Sequence, residues 1–256
     1  MRENNISLNR VAGLTIFFWI VKIFSTTVGE TAADYLAVDM NVGLLGTTII
    51  MGIVTVGAVF WNFSFKKYFA PSYWFLIVMM SIEGTLITDI LVDKFEISLI
   101  TLDMVFSITM ILGFALWYKL EGSLSIHNIT NTKREIFYWL IVLTTFALGT
   151  AVGDSVSEYL SFGYANSLIL FGAIFVIAGI LFYAKVLNGT TAFWIAFIVT
   201  RPIGASLGDL FIQAPADGGM GISAGTINIA FFSIILLVVG YLTYSKFDIT
   251  EELKVA

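Results

Sequence analysis

The sequence predicts an all-α membrane protein with eight transmembrane helices that form four parallel two-helix repeats. The 256 residues are 58% hydrophobic and only 12% charged, and the mean hydropathy is +0.93. Soluble domains are typically about 45–50% apolar and about 25% charged, so a soluble chain of this composition would lack the polar surface to cover its core. A bilayer suits such a composition, and the whole chain, 1–256, is expected to form a single transmembrane domain.

Eight apolar segments are long enough to cross the hydrocarbon core, which takes about 20 helical residues. They are 11–36, 41–61, 72–92, 97–118, 136–158, 163–186, 190–212 and 222–245. The first segment follows a polar N-terminus without a small-residue cleavage pattern, so helix 1 is expected to be retained. Pro202 lies inside a predicted helix, and it is expected to kink helix 7 or to free backbone carbonyls there.

The basic residues predict that both termini lie in the cytoplasm. Ten of them fall on one side of the eight-helix arrangement and only Lys94 falls on the other, which the positive-inside rule assigns to the outside. The ten are Arg2, Arg10, Lys66, Lys67, Lys119, Lys133, Arg134, Lys185, Lys246 and Lys254. The remaining two, Lys22 and Arg201, fall within predicted helices.

A sequence motif occurs four times, once on each odd-numbered helix. An aromatic–Trp pair is followed by a glycine ten residues after the Trp and by an aspartate fifteen residues after it, which gives [FY]-W-x9-G-x4-D. The repeated residues are Trp19, Trp74, Trp139 and Trp194, then Gly29, Gly84, Gly149 and Gly204, then Asp34, Asp89, Asp154 and Asp209. Repeats of one orientation should be related by an axis near the membrane normal. Their expected boundaries are 11–64, 65–121, 130–187 and 188–247.

Four tandem repeats of two membrane helices, each with a Trp, resemble a family of uncharacterised bacterial integral membrane proteins that are often labelled membrane-anchored proteins. The resemblance covers nearly the whole chain through the four tryptophans. It implies a multi-pass protein of the bacterial inner membrane. It brings no activity with it, so the function has to be argued from the residues.

The repeated tryptophans and glycines each have two interpretations. In one repeat the Trp lies about 22 Å from the Asp along the helix, near the cytoplasmic interface. It is expected to belong to an interfacial aromatic belt or to helix packing, with the lining of a substrate path as the alternative. The glycines lie near mid-depth, where close helix approach is favoured over a hinge that opens backbone groups to a central site.

Acidic side chains within the predicted helices are the residues that point to a function. Nine are found within these helices or, for Asp93, directly after one, and only Lys22 and Arg201 are available to neutralise them. The nine are Glu30, Asp34, Glu83, Asp89, Asp93, Asp103, Asp154, Glu158 and Asp209. A carboxylate at the bilayer centre costs about 2.5–3.5 kcal/mol on insertion scales. The excess acids are therefore expected to be protonated, to face a water-filled cavity or to bind cations.

These acids favour a secondary transporter that exports small cations in exchange for protons. Oxygen ligands suit hard cations such as Mn²⁺, Mg²⁺, Ca²⁺, Na⁺ or H⁺, while aromatic rings and carboxylates together suit an organic cation such as a polyamine. The expected cation-binding residues are Asp34, Asp89, Asp154, Asp209, Glu30, Glu83, Glu158 and Asp103, the four repeat aspartates being the candidate metal ligands. Lys22 and Arg201 are expected to couple the movement of the cation to that of protons, or to gate it.

Other functions remain open from the sequence. The repeated acids would suit the selectivity ring of a passive cation channel, and a carboxylate-based membrane enzyme or a partner subunit is a further alternative. Asp93 and Glu158 have the plainer alternative of capping helix ends in water. The chain has no cysteine and one histidine, His127, so thiolate sites are excluded and sites built on several imidazoles are not expected.

The expected partners are the lipid bilayer and a small cation substrate. A nucleic-acid partner and an enzymatic activity are not expected, and neither is a cofactor beyond a bound divalent cation. ATP-driven transport is not expected either, because the sequence has no G-x-x-x-x-G-K-[ST] run. The oligomeric state is not predicted.

Overall fold

The computed structural model describes residues 9–250, without the side chain of Thr250, and within that range it consists of helices and connecting turns. The helices are α1 Ile16–Asp34, α2 Leu44–Phe63, α3 Ala70–Asp89, α4 Leu99–Glu121, α5 Thr132–Asp154, α6 Tyr164–Tyr183, α7 Gly189–Ile212, α8 Ala224–Ser245 and the short α9 Phe247–Thr250. Helices α1 to α8 are long and apolar enough to cross a membrane, so the prediction of an all-α multi-pass architecture is confirmed. Arg2 and Lys254, which contributed to the predicted orientation, lie outside the described residues.

Three of the odd-numbered helices continue into a five-residue π-helical turn that begins directly after the repeat aspartate. These turns are Tyr35–Asp39, Ile90–Lys94 and Ser155–Tyr159. Helix α7 ends at Ile212 and is followed by the extended residue Gln213 instead. π-Turns widen the helix and occur often at functional sites, so three of the repeat aspartates lie at a marked change in helix geometry.

The prediction that helix 1 begins at residue 11 is wrong. The helix begins at Ile16, where the hydroxyl of Thr15 accepts a hydrogen bond from the backbone N–H of Phe18 at 3.3 Å. Residues 9–14 form a non-helical strap, in which Val11 and Ala12 are buried. The apolar run therefore extends beyond the helix because the strap also packs into the protein.

Helices α1, α3, α5 and α7 form a closed inner ring, in which each packs on the next and α7 packs on α1. Each outer helix packs on the inner helix that follows it in the chain: α2 on α3, α4 on α5, α6 on α7, and α8 on α1. Between 61% and 67% of each inner span is buried, against 6% to 28% of each outer span. The inner ring therefore forms the core, and the outer helices present apolar side chains to the surroundings.

The repeat glycines lie where neighbouring inner helices touch. A Cβ atom added at any of them would lie closer than 3.0 Å to a residue of the next inner helix. The pairs are Gly29 with Ser81, Gly84 with Phe146, Gly149 with Arg201, and Gly204 with Thr26. Each partner lies seven residues after the Trp of its own repeat. The glycines thus allow close helix approach, the interpretation that the sequence favoured.

The aromatic–Trp pairs close one end of the inner ring, which we call the Trp end. Each Trp packs against the repeat aromatic of the neighbouring inner helix, with ring centroids 5.3–6.1 Å apart. The pairs are Trp74 with Phe18, Trp139 with Tyr73, Trp194 with Tyr138, and Trp19 with Phe193. The side chains of Trp74, Trp139 and Trp194 are buried, so these three serve helix packing rather than an interfacial belt.

The strap and the short helix α9 pack over the Trp end. Arg10 of the strap forms an ion pair with the buried Glu135 of α5, with Nη1 and Oε2 2.7 Å apart. The backbone N–H of Arg10 also donates to the carbonyl of Ile129. Tyr68, in the α2–α3 connection, donates to Asp248, and burial together with that carboxylate raises the pKa of the Tyr68 phenol well above its ordinary value. The strap and α9 are therefore held at the Trp end by polar contacts.

Candidate functional site

An acidic cavity of about 200 Å³ lies at the opposite end of the inner ring, which we call the Asp end. All four repeat aspartates line it. The full set of lining residues is Glu30, Asp34, Asp89, Val92, Asp93, Leu99, Asp154, Glu158, Asp209 and Gln213. Seven of these ten carry a carboxyl group, so the cavity wall consists largely of negatively charged or proton-bearing side chains.

The repeat spacing explains why these side chains meet. Asp34, Asp89 and Asp154 are the last α-helical residues of α1, α3 and α5, and Asp209 lies in the last turn of α7. The same contact recurs between each pair of neighbouring inner helices, so residues fifteen positions after the Trp reach the same height. Asp93 and Glu158 follow four residues later, which keeps them on the same helix face.

The cavity deepens from an exposed mouth to a buried floor. Asp93 and Glu158 are exposed at the mouth, while Asp34, Asp89 and Asp154 are half-buried. Asp209 and Glu30 are only 4% and 6% exposed. The plain alternative of helix capping in water therefore fits the residues at the mouth better than the deeper acids.

Glu30 forms the floor of the cavity, and behind it α1 and α7 are joined by an ion pair. The Nη2 atom of Arg201 lies 2.6 Å from Oε2 of Glu30, and the arginine side chain is completely buried. The hydroxyls of Thr85 and Thr150 also lie within hydrogen-bond distance of Nη2, so its two N–H groups are shared among three acceptors, and Nη1 donates to the backbone carbonyl of Thr26 at 3.1 Å. Arg201 therefore bonds to all three of the other inner helices.

The acceptors of Arg201 share one position in the repeat. Glu30, Thr85 and Thr150 each lie eleven residues after the Trp of their own repeat, and the fourth repeat has Ala205 there. The small alanine leaves the centre of the ring to the arginine, which comes from the same repeat. The inner ring is thus symmetric in its packing and asymmetric in its charge.

Lys22 lies behind this floor, toward the Trp end. Its side chain is fully buried, and its ammonium group lies 4.1 Å from the ring centroids of both Phe146 and Phe197. Among the described residues, its Nζ atom has no hydrogen-bond partner. Phe197 occupies the repeat position equivalent to Lys22, and Phe146 the one equivalent to Arg201. The centre of the ring thus holds two cations, Lys22 and Arg201, and two aromatic rings, Phe146 and Phe197.

The carboxylates of the cavity greatly outnumber the cations that contact them. Within residues 9–250, the ion pair that involves the seven cavity carboxylates joins Glu30 to Arg201. Glu158 accepts a hydrogen bond from Tyr164 instead, at 2.9 Å. Six acids therefore share the cavity without a positively charged partner in the described chain, which makes it a favourable place for protons or cations.

The arrangement does not assemble a ready metal-coordination shell. Within the described part of the chain, no three or more His, Cys, Asp or Glu side chains come close enough together to hold a metal ion. The four repeat aspartates line one cavity from separate sides of the ring. A cation there would contact them through water, or through several donor groups of its own.

Two of the predicted site residues lie away from the cavity. Glu83 of α3 faces α2, where its Oε1 atom lies 3.4 Å from the position that a Cβ atom on Gly52 would take. Asp103 of α4 accepts a hydrogen bond from Ser155 at 2.6 Å. Both are half-buried between an inner and an outer helix. The structure therefore brings together Glu30, Glu158 and the four repeat aspartates, but not these two.

Sequence reasoning did not single out several residues that complete the site. Asp93 lines the cavity but was left out of the expected binding residues, and Phe146 and Phe197 flank Lys22 without having been considered. The common register of Glu30, Thr85 and Thr150 was readable, since each lies eleven residues after a Trp. The two phenylalanines carried no comparable signal in a sequence rich in aromatic residues.

Comparison with protein families gives four tandem matches to one family, described as Repeat of Unknown Function (DUF347). The matched segments are residues 17–68, 72–123, 137–186 and 192–247. Together they cover well over half of the chain, and the resemblance to an uncharacterised four-repeat family is confirmed. Comparisons with curated proteins and with solved structures gave no match.

Proposed function

We propose that this chain, which belongs to the family described as Repeat of Unknown Function (DUF347), is a secondary transporter that exports cations in exchange for protons across the bacterial inner membrane. The observation that carries the proposal is the acidic cavity, where six carboxylates have no cationic partner among the described residues. In an apolar bundle such groups are costly unless protons, water or cations reach them. A site that exchanges protons for cations satisfies that requirement directly.

The orientation follows from the distribution of charge. Exposed basic residues such as Lys66, Lys119 and Lys133 lie at the Trp end, which we assign to the cytoplasm, with both termini on that side. The four repeats then lie parallel around an axis near the membrane normal. The acidic cavity faces the outside in this state, and the aromatic–Trp pairs close the path toward the cytoplasm.

A carrier accounts for the centre of the ring better than a passive channel does. Between the cavity and the Trp end the centre holds Arg201, Lys22 and Phe197, all fully buried. An ion moving straight through would have to pass two fixed cations and the aromatic residues, which opposes a continuous conducting path. Alternating exposure of the cavity avoids this barrier, since the inner helices would move instead.

Protons and cations would compete for the same carboxylates. A cation bound among Asp34, Asp89, Asp154 and Asp209 is released when protons take its place, which couples the two movements in opposite directions. The transported cation on this proposal is a hydrated hard ion, such as Mn²⁺, or an organic cation with several N–H donors. Arg201 acts as a tethered cation that keeps Glu30 paired when the substrate is absent, and Lys22 adds a second fixed positive charge between this pair and the Trp end.

The proposal is tested in vesicles that contain the purified protein and a trapped pH dye. An exchanger should move protons only after a transported cation is added, and the rate should saturate with cation concentration. A channel would instead pass current without any counter-ion. Absence of both responses over a panel of Mn²⁺, Mg²⁺, Ca²⁺, Na⁺ and polyamines would remove the transport assignment.

A further inference from the structure

Four oxygen atoms surround the guanidinium group of Arg201 at the floor of the cavity. Its Nη2 atom lies 2.6 Å from the Glu30 carboxylate and 2.7 Å from the Thr150 hydroxyl, and the Thr85 hydroxyl is also within hydrogen-bond distance, so these three oxygens share two N–H groups. Its Nη1 atom bonds to the carbonyl of Thr26. We call these four oxygens the oxygen cage.

The oxygen cage presents acceptors only. The Thr85 hydroxyl lies 3.1 Å from the carbonyl of Ser81, and the Thr150 hydroxyl lies 3.1 Å from the carbonyl of Phe146. Each hydroxyl hydrogen therefore has a backbone acceptor within its own helix, which leaves the hydroxyl oxygen to accept from the cage. A carboxylate, a carbonyl and two such hydroxyls together suit a cationic group that donates N–H bonds.

We infer that the oxygen cage is the innermost cation subsite of the acidic cavity, that it takes an ammonium or guanidinium group, and that Arg201 is its tethered occupant in this state. This inference rests on the proposed transport function for its role in the protein. Glu30 belongs to both the cage and the cavity wall, so a cation in the cavity lies next to the subsite.

The chemistry of the cage favours an N–H donor over a bare metal ion. It contains one carboxylate, whereas hard divalent ions usually collect several charged oxygens. The cage carries one formal negative charge, so another monovalent organic cation in the place of the guanidinium keeps the Glu30 carboxylate paired, and the displaced Arg201 can pair with a cavity carboxylate that has no cationic partner among the described residues. This pairing avoids the penalty of leaving a buried carboxylate or a buried guanidinium unpaired.

The exchange also supplies a coupling step for the proposed transport. A substrate that enters the cage displaces Arg201 from Glu30 and breaks its bonds to α1, α3 and α5 at once. Arg201 is the residue that ties α7 to these three helices at this height. Binding at one subsite would thus loosen the contacts that hold the inner ring in its present state.

The test uses the full chain with Arg201→Met, which keeps an unbranched stem against Gly149 and removes the guanidinium. We expect guanidinium or methylammonium ions at millimolar concentration to raise its melting temperature in detergent, saturably, by about 3 °C. Tetramethylammonium, which has the charge but no N–H donor, should not. The matched control, Arg201→Met with Thr85→Val and Thr150→Val, should lose the effect.

The inference fails if the rise is absent, if tetramethylammonium produces it equally, or if it persists in the triple variant. Should Arg201→Met not fold in sodium buffer, its recovery as monodisperse protein only when guanidinium is present throughout purification would support the cage, and no recovery would count against it. Binding without cation-dependent proton flux in wild-type vesicles would leave the subsite standing and remove the transporter. Cation-dependent proton flux in wild-type vesicles without binding to Arg201→Met would support the transporter and remove the subsite.

Discussion

The guanidinium of Arg201 and the carboxylate of Glu30 form a buried ion pair with 2.6 Å between Nη2 and Oε2, which joins the fourth repeat to the first. Removing one partner of such a pair leaves a buried charge and costs about 3–5 kcal/mol, whereas replacing both partners with apolar residues is often neutral. Losing one partner of the pair should therefore destabilise the protein, whereas replacing both partners with apolar residues should not.

We expect Arg201→Gln to lower the free energy of unfolding by about 3–5 kcal/mol, because Glu30 loses its cation. The double variant Arg201→Met with Glu30→Met should recover most of that loss. Thermal unfolding in detergent measures both. Arg134→Gln is the control, since its pair with Glu121 is more exposed and should contribute less. Equal losses at Arg201 and Arg134 would contradict the special position of the central pair.

Neutralising one repeat aspartate should stop cation exchange without harming insertion. Asp89→Asn or Asp154→Asn removes a titratable group from the cavity wall, so cation-driven proton flux in vesicles should fall at least about tenfold. Asp217→Asn changes an exposed acid in the α7–α8 connection and should leave the flux unchanged. Wild-type flux in both cavity variants would contradict the proposal that the repeat aspartates bind the transported cation.

The contact between α3 and α5 should not tolerate a methyl group at Gly84. Its added Cβ would lie 2.6 Å from Cβ of Phe146 and 3.1 Å from the backbone nitrogen of Ala147, so the helices must move apart. Gly84→Ala is expected to cost about 1–3 kcal/mol in thermal unfolding. Gly172→Ala in α6 meets no atom within 4 Å and should be neutral or slightly stabilising, as alanine is in helices. A larger loss of stability for Gly172→Ala than for Gly84→Ala would show that α3 and α5 are packed less tightly than the structure indicates.

Replacing Lys22 should separate stability from coupling. The two aromatic contacts of its ammonium contribute about 2 kcal/mol, whereas burying the group without a hydrogen-bond acceptor costs several kcal/mol, so Lys22→Met should melt at the same temperature or higher. Proton movement should nevertheless lose its dependence on the added cation. Ile77→Met, at the equivalent position of the second repeat, is the control and should retain coupling. A large fall in melting temperature with normal coupling would assign Lys22 a purely structural role.

The absence of cysteine makes the orientation directly testable. Single variants Thr130→Cys in the α4–α5 connection and Asp217→Cys in the α7–α8 connection each place one thiol at an exposed residue. With cells intact, a membrane-impermeant maleimide should label Asp217→Cys but not Thr130→Cys, and permeabilised cells should label both. The reverse pattern would place the acidic cavity in the cytoplasm.

Much of the architecture could be predicted because the bilayer imposes strong demands on sequence. Eight long apolar segments and the four-fold Trp–Gly–Asp spacing were enough to predict the helices and the function of the glycines. The start of α1 could not be predicted, because Val11 and Ala12 are apolar for a different reason: they are buried in the strap. Hydropathy does not distinguish a helix facing lipid from a strap facing protein.

The cavity was only partly predictable from the sequence. The register of the aspartates indicated equal height, but their convergence depends on which helices are neighbours, and that order is set by contacts far apart in the chain. Glu83 illustrates the difference, since it lies one residue from the repeat glycine Gly84 yet faces α2 instead of the centre. The hydropathy pattern likewise did not predict the π-turns after Asp34, Asp89 and Asp154.

The packing of α8 on α1 means that the last outer helix packs on the first inner helix in the same way as every other outer helix packs on the inner helix that follows it. The packing of the helices therefore does not depend on which repeat comes first in the chain. A circularly permuted chain, with its old ends linked and new ends opened between α2 and α3, should assemble the same bundle, whereas a chain that lacks one repeat should leave its neighbours with an uncovered flank.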